Sequence, residues 1–192
     1  EEEAIVLRLG KPLAQTFGRK VKALWNMAGE AGLNVASVGW WVTWPVEQIN
    51  GVMVAQTNTV KKPSVDSSTP GKFGNRKGGV ISDFPGQVWP AAFEPLLDRK
   101  LTLVDSTMDE RVKRIFGRPH VEGLGRAYDL FWRQSLWSIR SDAIYHEIAL
   151  ELLRTSEKPM DLLMVYYGGT DVLAHRFFRW FRPQAFRHPA RP

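Results

Sequence analysis

Two stretches of the chain show the same hydrophobic pattern. Each has a stripe of apolar residues at helical spacing, followed by a short apolar run. In the first stretch, residues 18–32, apolar side chains recur at helical spacing. These side chains are Val21, Leu24, Trp25 and Ala28. Gly32 is well placed to end this helix in a left-handed conformation. Residues 33–41, LNVASVGWW, then predict a strand that is apolar enough to be buried on both faces.

The second stretch follows the same order near the other end of the chain. Residues 124–159 are mostly helical in pattern, and their clearest part is 142–154. The apolar stripe of that part consists of Ile144, Ile148 and Leu152. Pro159 closes the segment, and residues 160–169, MDLLMVYYGG, predict a second buried strand. Two helix–turn–strand units predict an α/β fold with a mainly parallel sheet flanked by helices.

The part of the chain between these units is predicted to contain loops and short helices. Pro45 cannot occupy a central position in a ladder, so residues 42–56 are expected to form a loop or lid. Residues 57–79 are rich in Lys, Pro, Ser, Thr and Gly, which predicts a flexible polar insert. Two short helices are predicted after it, at 88–100 and 106–117. In the second of these, Ser106 or Thr107 is expected to act as the N-cap.

The composition limits the residue types that could form a metal site. The 192 residues, which we expect to form a single domain (1–192), include no cysteine, so any metal site must use His, Asp, Glu or hydroxyl groups. No apolar run reaches the length of a membrane span, and no pattern predicts a compartment. The formal net charge of +6 favours anionic partners in a general way. Residues 175–192 interleave basic and aromatic side chains, which predicts either a binding segment or a solvated helix face with a loose tail.

Candidate chemistry lies at the carboxyl ends of the two predicted strands, where ligands bind in parallel α/β sheets. After the second strand, Asp171 and His175 are four residues apart, so on a helix they would share a face as potential metal ligands. Alternatively, Asp171 is a helix N-cap and His175 hydrogen-bonds the backbone. After the first strand, Trp44, Glu47 and Asn50 are candidates for a substrate pocket, although the two polar residues can equally satisfy the loop backbone.

Two segments resemble one enzyme family. Residues 22–54, KALWNMAGEAGLNVASVGWWVTWPVEQINGVMV, and 161–186, DLLMVYYGGTDVLAHRFFRWFRPQAF, resemble the type I phosphodiesterase/nucleotide pyrophosphatase family of the alkaline phosphatase superfamily. The two segments together cover about 60 residues and follow each other in the same order as in the family. The Trp-rich block is the more distinctive of the two. The resemblance implies an alkaline-phosphatase-like α/β sandwich. It also implies hydrolysis of phosphate esters with two metal ions, usually zinc, and a Thr or Ser nucleophile.

The resemblance also assigns roles to residues. It implies that Asp171 and His175 ligate one metal, together with a histidine far downstream. The chain departs from the family pattern because it contains no Asp-His-Gly motif for the second metal. The family's nucleophile belongs to a segment that would precede residue 1, so Thr43 is not assigned that role and no catalytic residue is identified.

The resulting expectation is a middle portion of a phosphoester hydrolase, cut at both ends. It would contribute one metal half-site and part of the pocket for a small phosphate ester, without specific nucleic-acid binding. One alternative is a non-catalytic binding module that uses the basic aromatic segment 175–192. A second is a degenerate family member that folds without binding metal.

Overall fold

A computed structural model describes residues 18–56, 86–116 and 135–187. Within these ranges the strands are β1 (Val35–Val38), β2 (Gly51–Val54), β3 (Val88–Trp89) and β4 (Leu162–Val165). The α-helices are α1 (Leu24–Glu30), α2 (Glu94–Phe116), α3 (Leu136–Thr155) and α4 (Gly169–Phe181). Short 3₁₀ turns lie at Ala91–Phe93 and Pro183–Ala185. The predicted polar insert at 57–79 lies outside the described residues.

The strands form one mixed, mostly parallel sheet in the order β3-β2-β1-β4. β1 pairs in parallel with β2 on one side and with β4 on the other, and Val35 is opposite both Gly51 and Leu162. β3 is antiparallel to β2. The prediction of an α/β fold with a mainly parallel sheet and flanking helices is therefore confirmed for the described residues.

β1 is buried on both sides because helices cover both faces of the sheet. On one face, Ala36 and Val38 pack against α2 and α3. On the other face, Val35 packs against Trp25 and Ala28 of α1. This alternation follows from the two-residue period of a strand. The layers place the carboxyl ends of β1, β2 and β4 along one edge of the sheet.

The end of α1 follows the prediction closely. Gly32 has a φ of 85°, which is the left-handed conformation expected directly after a helix. Its N–H donates to Gly29 O at 3.0 Å, and the N–H of Leu33 donates to Ala28 O at 3.1 Å. This pair of hydrogen bonds is a Schellman motif, which satisfies carbonyl groups at the helix end.

Two predictions for the middle of the chain were wrong. Residues 88–100 and 106–117 do not form two short helices, because β3 is followed by one helix, α2, that runs through Ser106 and Thr107. Their hydroxyl groups donate to Leu103 O at 2.9 and 2.8 Å, so they bond back to the preceding turn and do not cap a helix.

The second error concerns residues 42–56. They are not loop throughout, since Gly51–Val54 forms the buried strand β2. Its last three residues are fully or almost fully buried between β1 and β3, which explains why so short an apolar run is a strand.

Candidate functional site

A cavity of about 290 Å³ opens at the edge of the sheet where the parallel strands end. Gly39 and Trp41, which follow β1, and Gln56, which follows β2, line one side of it. The turn from β4 into α4 and the first three turns of α3 close the remaining sides. The cavity therefore lies where ligands bind in parallel α/β sheets.

Part of the cavity wall is aromatic. Trp41 is 61% exposed, and its ring meets that of Tyr166 edge-on at 6.1 Å between centroids. Trp137, at the start of α3, is also exposed and lines the cavity. Aromatic side chains on the rim of a pocket supply apolar contact area at low cost in conformational entropy.

Tyr145 of α3 lines the cavity and links two of the elements around it. Its hydroxyl donates to Gln56 O at 2.6 Å, which ties α3 to the end of β2. The ring is 3% exposed and lies against Gly39, leaving no room for a side chain at that position. This close approach brings the end of β1 and the start of α3 together at the cavity.

Asp142 of α3 holds the turn between β4 and α4. Its Oδ1 and Oδ2 atoms accept the N–H of Gly169 at 3.1 and 2.9 Å. Burial raises the pKa of Asp142 above its ordinary value of 3.8, and hydrogen bonds from the N–H groups of Gly169 and Gly168 oppose only part of that rise. The carboxyl group is thus a partly buried acceptor at the start of α4.

One turn further along α3, a second side chain meets the same turn. His146 Nδ1 lies 3.1 Å from the hydroxyl of Tyr167. Burial, and then the negative charge of Asp142, raise the pKa of Tyr167, so its phenol stays protonated at neutral pH. Asp142 and His146 share a face of α3 because they are four residues apart.

The structure brings Asp171 and His175 together. Helix α4 begins at Gly169, two residues before Asp171, so Asp171 is in the first turn and is not the N-cap. Asp171 Oδ1 and His175 Nε2 are 3.3 Å apart, and the side chains are 70% and 79% exposed. Asp171 lines the cavity. Among the described residues, no group of three or more His, Asp or Glu side chains is arranged to hold a metal ion.

The three candidates for the substrate pocket do not line this cavity. Glu47 faces α1, where it accepts hydrogen bonds from Trp25 Nε1 at 2.5 Å, Arg19 at 2.6 Å and Asn26 Nδ2 at 3.0 Å. Asn50 directly precedes β2 and donates to Leu33 O at 2.8 Å, at the opposite edge of the sheet. Trp44 is half-buried in the loop after β1. Thr43 is buried, with its hydroxyl bonded to Trp40 O.

Several residues around the cavity were not identified from the sequence. They are Gln56, Trp137, Asp142, Tyr145 and Tyr166. Asp142 had the clearest available signal, because it is an acidic residue at the start of the 142–154 stripe, in a helix that leads into a predicted strand. In a parallel α/β unit, the amino end of such a helix lies at the carboxyl edge of the sheet.

Comparisons of the chain with protein-family models, with curated proteins and with solved structures found no match. Within the described ranges, none of the helices combines the length and the apolar character that a membrane crossing requires.

Proposed function

We propose that this chain is a portion of a metal-dependent phosphoester hydrolase of the phosphodiesterase/nucleotide pyrophosphatase type. In this proposal Asp171 and His175 provide two ligands of one metal ion, zinc by the resemblance. The cavity beside them forms part of the substrate pocket, and the sheet belongs to a larger alkaline-phosphatase-like sandwich. The observation that carries the proposal is the pairing of His175 with Asp171, a residue that lines the strand-end cavity.

The separation of the two side chains supports the proposal. Zinc bonds to imidazole nitrogen and carboxylate oxygen are about 2.0–2.2 Å long, so two such ligands at a tetrahedral angle are about 3.4 Å apart. Asp171 Oδ1 and His175 Nε2 are 3.3 Å apart. A direct hydrogen bond or ion pair between these side chains has a similar length. A measurement of metal binding therefore distinguishes a ligand pair from a direct contact.

The chain's own residues would have distinct tasks. Asp171 and His175 would hold the metal, with the imidazole neutral so that Nε2 can donate its lone pair. The aromatic rim of Trp41, Trp137 and Tyr166 would contact the organic part of the ester and exclude water. The metal, when bound, would stabilise negative charge on phosphate oxygens. The family's remaining ligands and nucleophile correspond to segments outside this chain, so we expect zinc binding without hydrolysis by the chain alone.

Zinc titration tests the proposal. We expect the 192-residue chain to compete for Zn²⁺ with a chromophoric chelator, and we expect Asp171→Ala and His175→Ala each to lower the affinity about tenfold or more. Asp109→Ala is the matched control, because Asp109 is an exposed acidic residue of α2 outside the cavity lining. Equal affinities in all four proteins, or no binding by the wild type, would contradict the proposed metal site.

A further inference from the structure

The start of α4 is fixed by a side chain of another helix. Gly168, the residue before α4, has no side chain to cap it, and Asp142 of α3 accepts the N–H of Gly169 with both carboxylate oxygens. We propose that Asp142 is a positioning residue for the Asp171–His175 pair, because it sets where α4 begins and thereby turns Asp171 toward the cavity. This inference rests on the proposed function.

The packing at Gly169 leaves little freedom to the first turn. A Cβ atom at Gly169 would collide with Asp142 Oδ2 and would lie 3.3 Å from Ser138 O. The first residue of α4 therefore touches both the backbone and a side chain of α3. Asp171 follows only two residues later, so a shift of this contact moves its carboxylate directly.

Asp142 itself is on a rigid support. Its neighbours Ile144 and Tyr145 are 0% and 3% exposed, and the Tyr145 hydroxyl is bonded to Gln56 O. From the same face of α3, His146 contacts the hydroxyl of Tyr167, the residue before Gly168. The turn is thus held on both sides of Gly168 by one helix, α3, whose inner face is buried. Such support keeps the ligands of a site in a fixed orientation.

A capping role without any effect on the metal pair would predict lower stability and faster local opening at the start of α4. A positioning role predicts, in addition, a lower affinity for metal. These readouts need a variant that keeps the size of the side chain, and Asp142→Asn does so while removing one of the two acceptor oxygens.

The experiment compares the full 192-residue wild type with Asp142→Asn, Asp142→Ala and the control Glu147→Gln. Glu147 is on α3 too and bonds Arg111 of α2 at 2.5 Å, so the control also loses a carboxylate contact of that helix. We expect Asp142→Asn to speed amide hydrogen exchange at residues 169–172 about tenfold and to lower Zn²⁺ affinity about tenfold or more. The control should change neither by more than about twofold.

The outcomes separate this inference from the proposed function. Unchanged exchange at 169–172 in a folded Asp142→Asn protein overturns the inference, whatever happens to zinc. Faster exchange with unchanged zinc affinity also overturns it, since Asp142 is then a structural cap only. A wild type that binds no zinc contradicts the proposed function, and the exchange data then decide whether Asp142 sets the start of α4. Circular dichroism identifies variants that fail to fold, and the conservative Asn change guards against that failure.

Discussion

Glu47, a polar residue predicted to belong to a substrate pocket, has a structural role instead. Its carboxylate accepts hydrogen bonds from Trp25, Arg19 and Asn26, and the Arg19 guanidinium also lies over the Trp25 ring at 5.1 Å. Partial burial acts to raise the pKa of Glu47, but the hydrogen bonds and the charge of Arg19 outweigh it and leave the pKa below its ordinary value of 4.5. The ionised carboxylate therefore links the loop after β1 to α1.

The lowered pKa of Glu47 gives stability a definite dependence on pH. The folded chain binds fewer protons at this site than the unfolded chain, so the contribution is complete above 4.5 and is lost as the pH falls through the lower folded-state pKa. We expect Glu47→Gln to reduce the free energy of unfolding by on the order of 1 kcal/mol near neutral pH, and by progressively less below 4.5. Urea unfolding at a series of pH values measures this difference.

Glu30→Gln is the control for that experiment. Glu30 bonds Lys22 at 2.6 Å, but both side chains are more than half exposed, and such surface pairs contribute little. A Glu47→Gln difference that is absent near neutral pH, or that grows as the pH falls, would contradict the assignment.

At the scale of elements, the stripe of α3 offers a test of the layered core. Leu152 is 1% exposed against the sheet, whereas Leu153, the next residue, is 56% exposed. We expect Leu152→Ala to lower the free energy of unfolding by about 2–5 kcal/mol, because it leaves a cavity in the core. Leu153→Ala should change it by no more than about 0.5 kcal/mol. Chemical denaturation measures both, and similar costs for the two changes would mean that α3 packs with a different face.

Elements with strong local signals could be predicted from the sequence. The apolar runs of β1 and β4, the stripe of α3 and the terminating Gly32 are all local patterns, and the structure has a strand, a helix or a helix end at each of them. The predicted full burial of β4 is wrong, because β4 is at the edge of the described sheet and its four residues are only partly buried. β2 was missed because its short run follows a proline-containing segment. α2 was divided because Ser106 and Thr107 are common N-cap residues, and their bonds back to Leu103 cannot be read from the sequence.

The site could be located only in part, for a topological reason. The segment from Gly168 to His175 follows a strand directly, so its place at the carboxyl edge was predictable. Because β2 runs parallel to β1, the connection between them must return to the opposite edge, and it carries Asn50 away from the cavity. The contact of Asp142 with Gly169 joins residues from two different elements, and no local pattern encodes it.

At the scale of the whole molecule, the formal net charge is +6. Several basic residues of the described ranges form ion pairs with acidic ones, namely Arg19–Glu47, Lys100–Glu151, Arg111–Glu147 and Arg140–Asp105, and the last three join α2 to α3. Exposed aromatic side chains do accompany Arg179 and Arg182 in and after α4, namely Phe178, Phe181 and Phe186. This surface is the one to test for the alternative of a nucleic-acid-binding module.

We expect DNA binding by this chain to be weak, non-specific and indifferent to which exposed arginines are removed. The double change Arg179→Gln/Arg182→Gln and the matched change Arg99→Gln/Arg154→Gln each remove two positive charges from exposed helical or post-helical positions. Binding of duplex DNA measured across a salt series should then show similar slopes for both variants, because each phosphate contact contributes about 0.9 to the slope wherever it lies. A slope that falls by about two for the α4 pair alone would instead support the binding module, since those arginines would then be the ones that contact phosphate.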